Sequence, residues 1–509
     1  MPKKLPIGIQ DFKKIINGNY IYVDKTKYLF DLIKQGTPVF LSRPRRFGKS
    51  LTLSTLYYLF SGKKELFKGL YIHDKWDFKK YPVIRLDMSA TYSTGSIEEF
   101  KQSVHDLITS EAKKHNLNIK KRIISSLFKE IIEELSKVEK VVVLIDEYDK
   151  PILDNITNVK KAQKVREVLR SCYDILKPTD QYLKHVFLTG ISKFSKVGVF
   201  STLNHLRDIS LSSEYSEFLG LTEKEIKKYF KKNLQKTSKI MNKSQFELLD
   251  KIKDWYNGFS FDGNHFVYNP FSILIMFAEN EFRNYWYETG TPSFLVKLVK
   301  KKKIDNVNIR EKIVDIDFTN KKEIEKASPE SFLFQAGYLT IKKSMSRYYK
   351  LDYPNNEVKN AFATLFLDNI YNVEDAPEIK HNLEIAFDKN DFENVFQEFQ
   401  KTFSMIPYNL FSKNESFYHA VLLTLLWAAG IDAKAEEMTN LGRRDIVIRH
   451  KDIIYILELK KGKNALKKAL EQIKEKNYYK KYSGKKMYLI GISIDEKKRN
   501  LMDFLQKSI

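Results

Sequence analysis

The feature that most constrains the fold is the segment Arg43-Pro-Arg-Arg-Phe-Gly-Lys-Ser50. It joins a strand-like stretch, Thr37–Ser42, to an apolar-periodic segment, Leu51–Phe60. A strand that turns through Gly-Lys-Ser into a helix offers backbone N–H groups, a lysine and a hydroxyl to phosphate oxygens. The first position of such loops is commonly Gly, whereas here it is Arg43. The segment predicts a nucleotide-binding loop made of Arg46, Phe47, Gly48, Lys49, Ser50 and Leu51.

A second motif supports this reading. The aliphatic run Val141–Ile145 is followed directly by Asp146 and Glu147. A buried parallel strand would place Asp146 beside the loop, where its carboxylate and the Ser50 hydroxyl can hold the Mg²⁺ of bound ATP. Glu147 is then the predicted catalytic group that polarises the attacking water. The alternative is an exposed acid pair after a core strand, and the presence of both motifs in one α/β region disfavours it.

The next strand-like segment, Lys184–Gly190, contains Thr189 near its end. A polar side chain at that position can sense the γ-phosphate between the two motifs, so Thr189 is predicted to belong to the nucleotide site. An ordinary strand-end cap is the alternative, and the sequence leaves the two readings open.

Three zones separate along the chain. Strands alternate with helical patterns through residues 1–215, which predicts a parallel α/β sheet flanked by helices. Residues 216–405 are mostly helical, and Thr222 with Glu225 forms the pattern of a capping box. Residues 406–509 show the order αββαβ. The sequence therefore predicts three domains with these boundaries.

The last zone carries a second polar constellation. Glu458 and Lys460 are two residues apart in a predicted strand, so their side chains leave the same face. Asp445 begins the preceding strand, and a hairpin would bring it alongside. Two carboxylates can bind Mg²⁺, and the lysine can position or deprotonate water near a phosphodiester. Glu415 and Gln472 are further candidates, and an amphipathic hairpin with exposed charges is the alternative.

Composition limits the partners and the compartment. The formal net charge is +24 and the pI is about 9.4, which favours polyanions such as nucleic acid. Solvated lysines spread over the surface are the alternative. Cys172 is the only cysteine, so disulfides within the chain and cysteine-based zinc sites are excluded. The longest apolar stretch has 15 residues, too few to span a bilayer. We expect a cytoplasmic protein without a membrane partner.

Several short motifs together resemble one family of prokaryotic proteins, the AAA-ATPase-like family, whose members end in a PD-(D/E)XK nuclease-superfamily domain. The similarity covers nearly the whole chain. The motifs are Leu5–Phe12, Tyr22–Thr26, Arg43–Ser50, Trp255–Gly258, Tyr268–Pro270, Gln335–Leu339, Phe417–His419, Gly442–Asp445 and Glu458–Lys460.

The resemblance implies an N-terminal P-loop NTPase, a helical or winged-helix-like middle region and a C-terminal restriction-endonuclease-like α/β domain. It assigns ATP phosphates to Gly48–Ser50, metal-linked roles to Asp146 and Glu147, and nuclease-core roles to Asp445, Glu458 and Lys460. Arg444 stands where the family name has proline, a position where proline is not chemically required.

The resulting hypothesis is an ATP-hydrolysing, Mg²⁺-dependent nuclease that acts on DNA rather than RNA. The alternative is a nucleotide-dependent switch whose nuclease-like domain only binds nucleic acid or a protein. A homo-oligomer stays open. In ring-forming ATPases an arginine from a neighbouring copy completes the site, and Arg207 is one candidate for that role.

Overall fold

The computed structural model describes residues 3–193, 205–288, 296, 299–300, 307, 309–320, 328–412, 414–435, 438–439, 442–443, 445–462, 464–475, 482 and 484–509. The chain divides into two compact units. The first comprises residues 1–302 and 311–355, and the second comprises residues 303–310 and 356–509. The boundaries predicted after residues 215 and 405 fall inside these units, and the described segments of the middle region are shared between both.

The core of the first unit is a five-stranded sheet in which every pairing is parallel, as predicted. Its order is β2-β3-β4-β1-β5, so β4 lies between β1 and β3. The carboxyl ends of these three neighbouring strands therefore meet at one edge. The strands are β1 (Val39–Ser42), β2 (Val83–Asp87), β3 (Val141–Asp146), β4 (Leu183–Gly190) and β5 (Arg207–Asp208).

Helices alternate with these strands. Ser96 and Glu99 form a capping box that starts a helix at Ile97. The helix Ile124–Ser136 buries apolar residues at three- and four-residue spacing, which directs one face to the core. The helices are α1 (Phe12–Asn17), α2 (Thr26–Gln35), α3 (Lys49–Phe60), α4 (Ile97–Lys114), α5 (Ile124–Ser136), α6 (Lys150–Asp154) and α7 (Val159–Tyr173).

The remainder of the first unit is a helical group followed by a small antiparallel sheet in the order β6-β8-β7. The capping box of Thr222 and Glu225 is confirmed. The helices are α8 (Glu223–Tyr229), α9 (Lys231–Ile240), α10 (Gln245–Tyr256), α11 (Pro270–Glu279), α12 (Tyr285–Glu288) and α13 (Pro329–Ala336). The strands are β6 (Lys312–Asp315), β7 (Thr340–Met345) and β8 (Tyr348–Asp352).

The second unit contains helices and a five-stranded mixed sheet in the order β15-β14-β13-β12-β9. Only β13 and β14 pair in parallel. The helices are α14 (Asn356–Asn369), α15 (Ala376–Asp388), α16 (Phe392–Met405), α17 (Glu415–Ala428) and α18 (Ala465–Glu475). The strands are β9 (Asp432–Ala435), β10 (Met438–Thr439), β11 (Gly442–Arg443), β12 (Asp445–His450), β13 (Ile453–Lys461), β14 (Lys486–Asp495) and β15 (Asn500–Ser508).

The predicted order αββαβ is therefore incomplete, since the sheet gains β9 before the hairpin and β15 after the last predicted strand. Both lie at the edges of the sheet, and most side chains of β15 are exposed. An edge strand with so few buried side chains carries a weak hydrophobic pattern, which explains why the sequence did not reveal it. Within the described ranges, no helix has the length and apolarity needed to cross a bilayer.

Candidate nucleotide and phosphodiester sites

The predicted phosphate loop connects β1 to α3. Gly48 precedes α3 with φ +93°, in the left-handed region that favours glycine. A Cβ built on Gly48 would meet no described atom within 4 Å, so the space in front of the helix is open. None of the described side chains caps this helix N-terminus. The N–H groups of its first turn are thus available to an anion.

The Lys49 side chain reaches back across the loop. Its Nζ donates to the backbone oxygens of Arg43 at 2.9 Å and Pro44 at 3.0 Å. Burial lowers the pKa of the Lys49 ammonium, and the charges of Asp146 and Glu147 oppose that effect. The lysine is therefore held close to the acidic end of β3, in the gap where phosphate oxygens would lie.

Arg43, the atypical residue of the loop, is turned into the protein. Its guanidinium donates to the backbone oxygens of Ser210 at 2.6 Å and Tyr215 at 3.0 Å, and its central carbon lies 3.8 Å from the centre of the Phe261 ring. Burial lowers the pKa of Arg43 to about 9. Arg43 thus ties the end of β1 to the segment that follows β5.

Replacing Arg43 with Gly, the usual residue at this position, is expected to destabilise the protein. Each lost hydrogen bond from a charged donor costs about 1.5–3 kcal/mol, so we expect a loss of at least ~3 kcal/mol in the free energy of unfolding. Urea denaturation measures it, with Arg43→Lys as the variant that keeps the charge but not the forked donor. Unchanged stability in Arg43→Gly would contradict this anchoring role.

Residues distant in sequence pack behind the loop. The Phe47 ring lies 5.0 Å from that of Phe259, edge to face, so Phe47 can serve a nucleotide only through its backbone. Gly337 approaches the loop so closely that a Cβ there would lie 2.8 Å from Cβ of Pro44. The motif Gln335–Leu339 thus supports the loop, a contact that sequence spacing does not reveal.

The acidic end of β3 is joined to the end of β4. Oδ1 of Asp146 accepts a hydrogen bond from Oγ1 of Thr189 at 2.6 Å and another from the backbone N–H of Glu147 at 3.0 Å. Asp146 is only 3% exposed, which excludes a surface acid pair. Burial raises the pKa of Glu147, and the nearby Lys49 charge opposes that effect. These side chains lie together at the edge predicted from the sequence.

Asp149 is an acidic residue of this edge that the sequence reasoning missed. It is buried, and Oδ2 accepts the backbone N–H groups of Ile191 at 3.1 Å and Ser192 at 2.6 Å. Burial raises its pKa, and the hydrogen bonds from Ser192 oppose that effect. A Cβ on Gly190 would lie 2.5 Å from Asp149 Oδ1. The available signal was the third acid of the run Asp146–Asp149, which follows Asp146 and Glu147.

A cavity of about 450 Å³ opens in front of the loop, a size that suits a small-molecule ligand. Its lining combines polar residues of the loop and of the end of β3 with apolar residues from other segments. The polar residues include Arg46, Gly48, Lys49, Ser50 and Glu147. The apolar residues include Pro6, Ile9, Val23, Phe218, Leu221 and Phe271.

The second predicted site lies on the sheet of the second unit. Asp445 is the backbone register partner of Glu458, as the hairpin argument predicted, while the Asp445 side chain lies outside the described part of the structure. Lys460 Nζ lies 2.9 Å from Glu458 Oε1 and 3.8 Å from Glu415 Oε2. Gln472 Nε2 donates to Glu458 Oε1 at 2.5 Å. The two further candidates, Glu415 and Gln472, thus both reach the cluster.

The burial of this cluster is uneven. The Glu458 side chain is 0% exposed and that of Lys460 is 20% exposed, so the cluster is not a row of solvated hairpin charges. Among the side chains that the structure describes, no group of three His, Cys, Asp or Glu residues is placed to hold a metal ion. Asp445, the predicted metal partner of Glu458, is not among those side chains, so the predicted carboxylate pair remains a prediction.

Two family profiles match the segments of the chain that contain the two predicted sites. The profile of a family described as "Predicted AAA-ATPase" matches residues 6–200. A second profile, described as "PD-(D/E)XK nuclease superfamily", matches residues 413–504. A protein of Azotobacter chroococcum mcd 1, described as "Uncharacterized protein in vnfD 5'region", is 37% identical over 527 aligned positions. That alignment covers 100% of this chain and 99% of the relative.

Proposed function

Because this chain belongs to the predicted AAA-ATPase family that carries a C-terminal PD-(D/E)XK nuclease-superfamily domain, we propose that it hydrolyses ATP and cleaves DNA. Domains of these two types generally use a nucleotide and Mg²⁺. The observation that supports the proposal best is that the described side chains of each predicted site lie together in the fold. ATP hydrolysis in the first unit would then control cleavage in the second.

In the nucleotide site, Lys49 and the N–H groups of the loop would bind the β- and γ-phosphates. Ser50 and Asp146 offer the hard oxygen atoms that Mg²⁺ prefers, and Thr189 fixes one oxygen of Asp146. Glu147 would orient and deprotonate the attacking water. A pKa raised by burial suits that role, because a general base works best when its pKa approaches the working pH.

In the phosphodiester site, Asp445 and Glu458 would hold Mg²⁺, which when bound supplies Lewis-acid activation of the phosphate. Gln472 fixes the orientation of the Glu458 carboxylate through its hydrogen bond. Lys460 would position or deprotonate the water that attacks phosphorus. Glu415, 3.8 Å from the ammonium, would help to keep Lys460 in place.

The direct test measures ATP turnover and nucleic-acid cleavage in the same reactions, with single- and double-stranded DNA and RNA. We expect Mg²⁺-dependent DNA cleavage that responds to ATP, and DNA binding that weakens steeply as salt rises. If DNA affinity does not change with salt concentration, the basic residues behind the net charge of +24 only keep the surface hydrated and do not bind phosphates. ATP turnover without cleavage of any substrate would overturn the nuclease proposal.

One observation favours a second candidate, a nucleotide-dependent switch that binds nucleic acid or a protein without cleaving it. The Glu458 carboxylate is fully buried and already engaged by Lys460 and Gln472. A metal would have to compete with these partners. Intact ATP turnover together with binding but no cleavage would support this candidate.

The oligomeric state stays open in both cases. Arg207, the arginine considered for a neighbouring copy, is ion-paired with Glu214 of its own chain at 3.1 Å. To complete the nucleotide site of a neighbouring subunit, Arg207 would have to break its ion pair with Glu214.

A further inference from the structure

The second unit exposes an aromatic ring that is stacked by an arginine. The Tyr408 residue is 77% exposed, and the central carbon of the Arg499 guanidinium lies 3.3 Å from the centre of its ring. Arg499 Nη1 also donates to the backbone oxygen of Tyr408 at 3.1 Å. We propose that this pair, the Tyr408–Arg499 platform, binds an unpaired nucleobase of a nucleic acid in the unit that holds the Lys460 site.

The arginine is presented by an ordered turn between β14 and β15. Asp495 Oδ1 accepts the backbone N–H groups of Lys497 and Lys498, both at 3.0 Å. Arg499 follows with φ +57°, a left-handed conformation that non-glycine residues adopt rarely. The turn thus presents two exposed lysines followed by the stacked arginine. The lysines can bind phosphates of a nucleic acid while one of its bases stacks on the Tyr408 ring.

Two contacts connect the platform with the elements that carry the predicted phosphodiester site. On one side, Lys461, the residue after Lys460, pairs with Glu496 of the same turn at 2.8 Å. On the other side, the Arg499 guanidinium lies 6.0 Å from the ring centre of Phe411.

The second link continues into α17. The Phe411 ring centre lies 5.3 Å from that of Phe417. Phe417 lies two residues after Glu415, which approaches Lys460 at 3.8 Å. The turn that carries Arg499 therefore lies at the carboxyl end of β13, the strand that carries Lys460.

A stacking platform of this kind favours unpaired nucleotides over base-paired ones. Aromatic side chains and arginine planes stack well on bases, but the base faces inside a duplex are already covered by their neighbours. A single exposed aromatic residue would not by itself indicate a binding site. Here the ring is stacked by a guanidinium, and Lys497 and Lys498 precede that arginine in its turn. This inference takes nucleic acid as the ligand from the proposed function and adds a preference for single strands, flaps or frayed ends.

The test uses the full chain and fluorescence anisotropy with a labelled single-stranded DNA and its blunt duplex, without divalent metal. Tyr408→Ala should weaken single-strand binding by roughly 5- to 150-fold, since stacking contributes that much per base. Duplex binding should change little. Tyr408→Phe should restore binding, and Arg499→Lys, which keeps the charge but not the plane, should be intermediate. Phe246→Ala, which removes an 80% exposed ring of the first unit, is the matched control.

The outcomes separate this inference from the nuclease proposal. Unchanged single-strand binding in Tyr408→Ala overturns the platform even if the wild-type protein cleaves DNA. Equal losses for single strands and duplex overturn it as well, as does a wild-type chain that binds neither DNA. A selective loss that Tyr408→Phe rescues supports the platform, whether or not the protein cleaves DNA.

Discussion

Lys460→Ala is expected to reduce Mg²⁺-dependent DNA cleavage by at least a factor of ~100 while leaving ATP binding unchanged. The ammonium lies 2.9 Å from Glu458 and is the partly exposed cation of the cluster. Removing a group that deprotonates the attacking water typically costs about 10²–10⁴ in rate. Initial cleavage rates on labelled DNA measure the loss, and nucleotide binding to the first unit is measured in parallel.

Two further variants make this result interpretable. Lys461→Ala removes the adjacent lysine, which pairs with Glu496 rather than with Glu458, and should retain cleavage. Lys460→Ala also leaves Glu458 buried without its cation, a change that destabilises proteins by about 3–5 kcal/mol. Glu458→Gln avoids a buried unpaired charge and should be equally inactive if the fold is intact. Cleavage that persists in Lys460→Ala would show that the reaction occurs elsewhere.

The sequence predicted the first sheet well because its signals are local. The aliphatic run before Asp146 and the Gly-Lys-Ser turn are complete within a few residues, and the helix and strand periods follow from them. Pairing order is a long-range property that periodicity does not encode. The contact between Thr189 and Asp146 depends on β4 lying between β1 and β3, so the sequence left the role of Thr189 open.

The sequence did not reveal contacts between residues that are distant in the chain. Arg43 stood out only as a departure from the usual glycine, and its partners, Ser210 and Tyr215, come from a segment more than a hundred residues away. The close approach of Gly337 to Pro44 is likewise invisible to any local pattern. Such contacts are set by the packing of the middle segments onto the loop, which propensity and spacing do not describe.

In the second unit, register was more predictable than burial. A hairpin of the observed length brings Asp445 opposite Glu458, as the 13-residue spacing suggested. The complete burial of Glu458 was not predicted, because apolar and charged residues alternate over Leu457–Lys460 and such alternation usually indicates one solvated face. Gln472, on a following helix, covers that face and engages the carboxylate.

Glu147→Gln is expected to lower ATP turnover by a factor of ~10²–10⁴, the range that a general base contributes, while ATP binding is retained. The amide keeps the size of the side chain but cannot accept the proton of the attacking water. Phosphate release measures turnover, and a fluorescent nucleotide measures binding. Glu139→Gln is the control: it removes an acid that lies two residues before the start of β3 and does not line the cavity, and it should hydrolyse ATP at the normal rate.

The pH dependence gives an independent check on Glu147. Burial raises its pKa above the ordinary value of 4.5, so the carboxylate becomes protonated at a higher pH than an exposed glutamate does. Wild-type turnover should therefore fall as the pH decreases through that raised value, and the residual turnover of Glu147→Gln should lack this acid limb. Turnover in Glu147→Gln within threefold of wild type, with the acid limb intact, would assign the base to another group, and Asp149 would be the next carboxylate to replace.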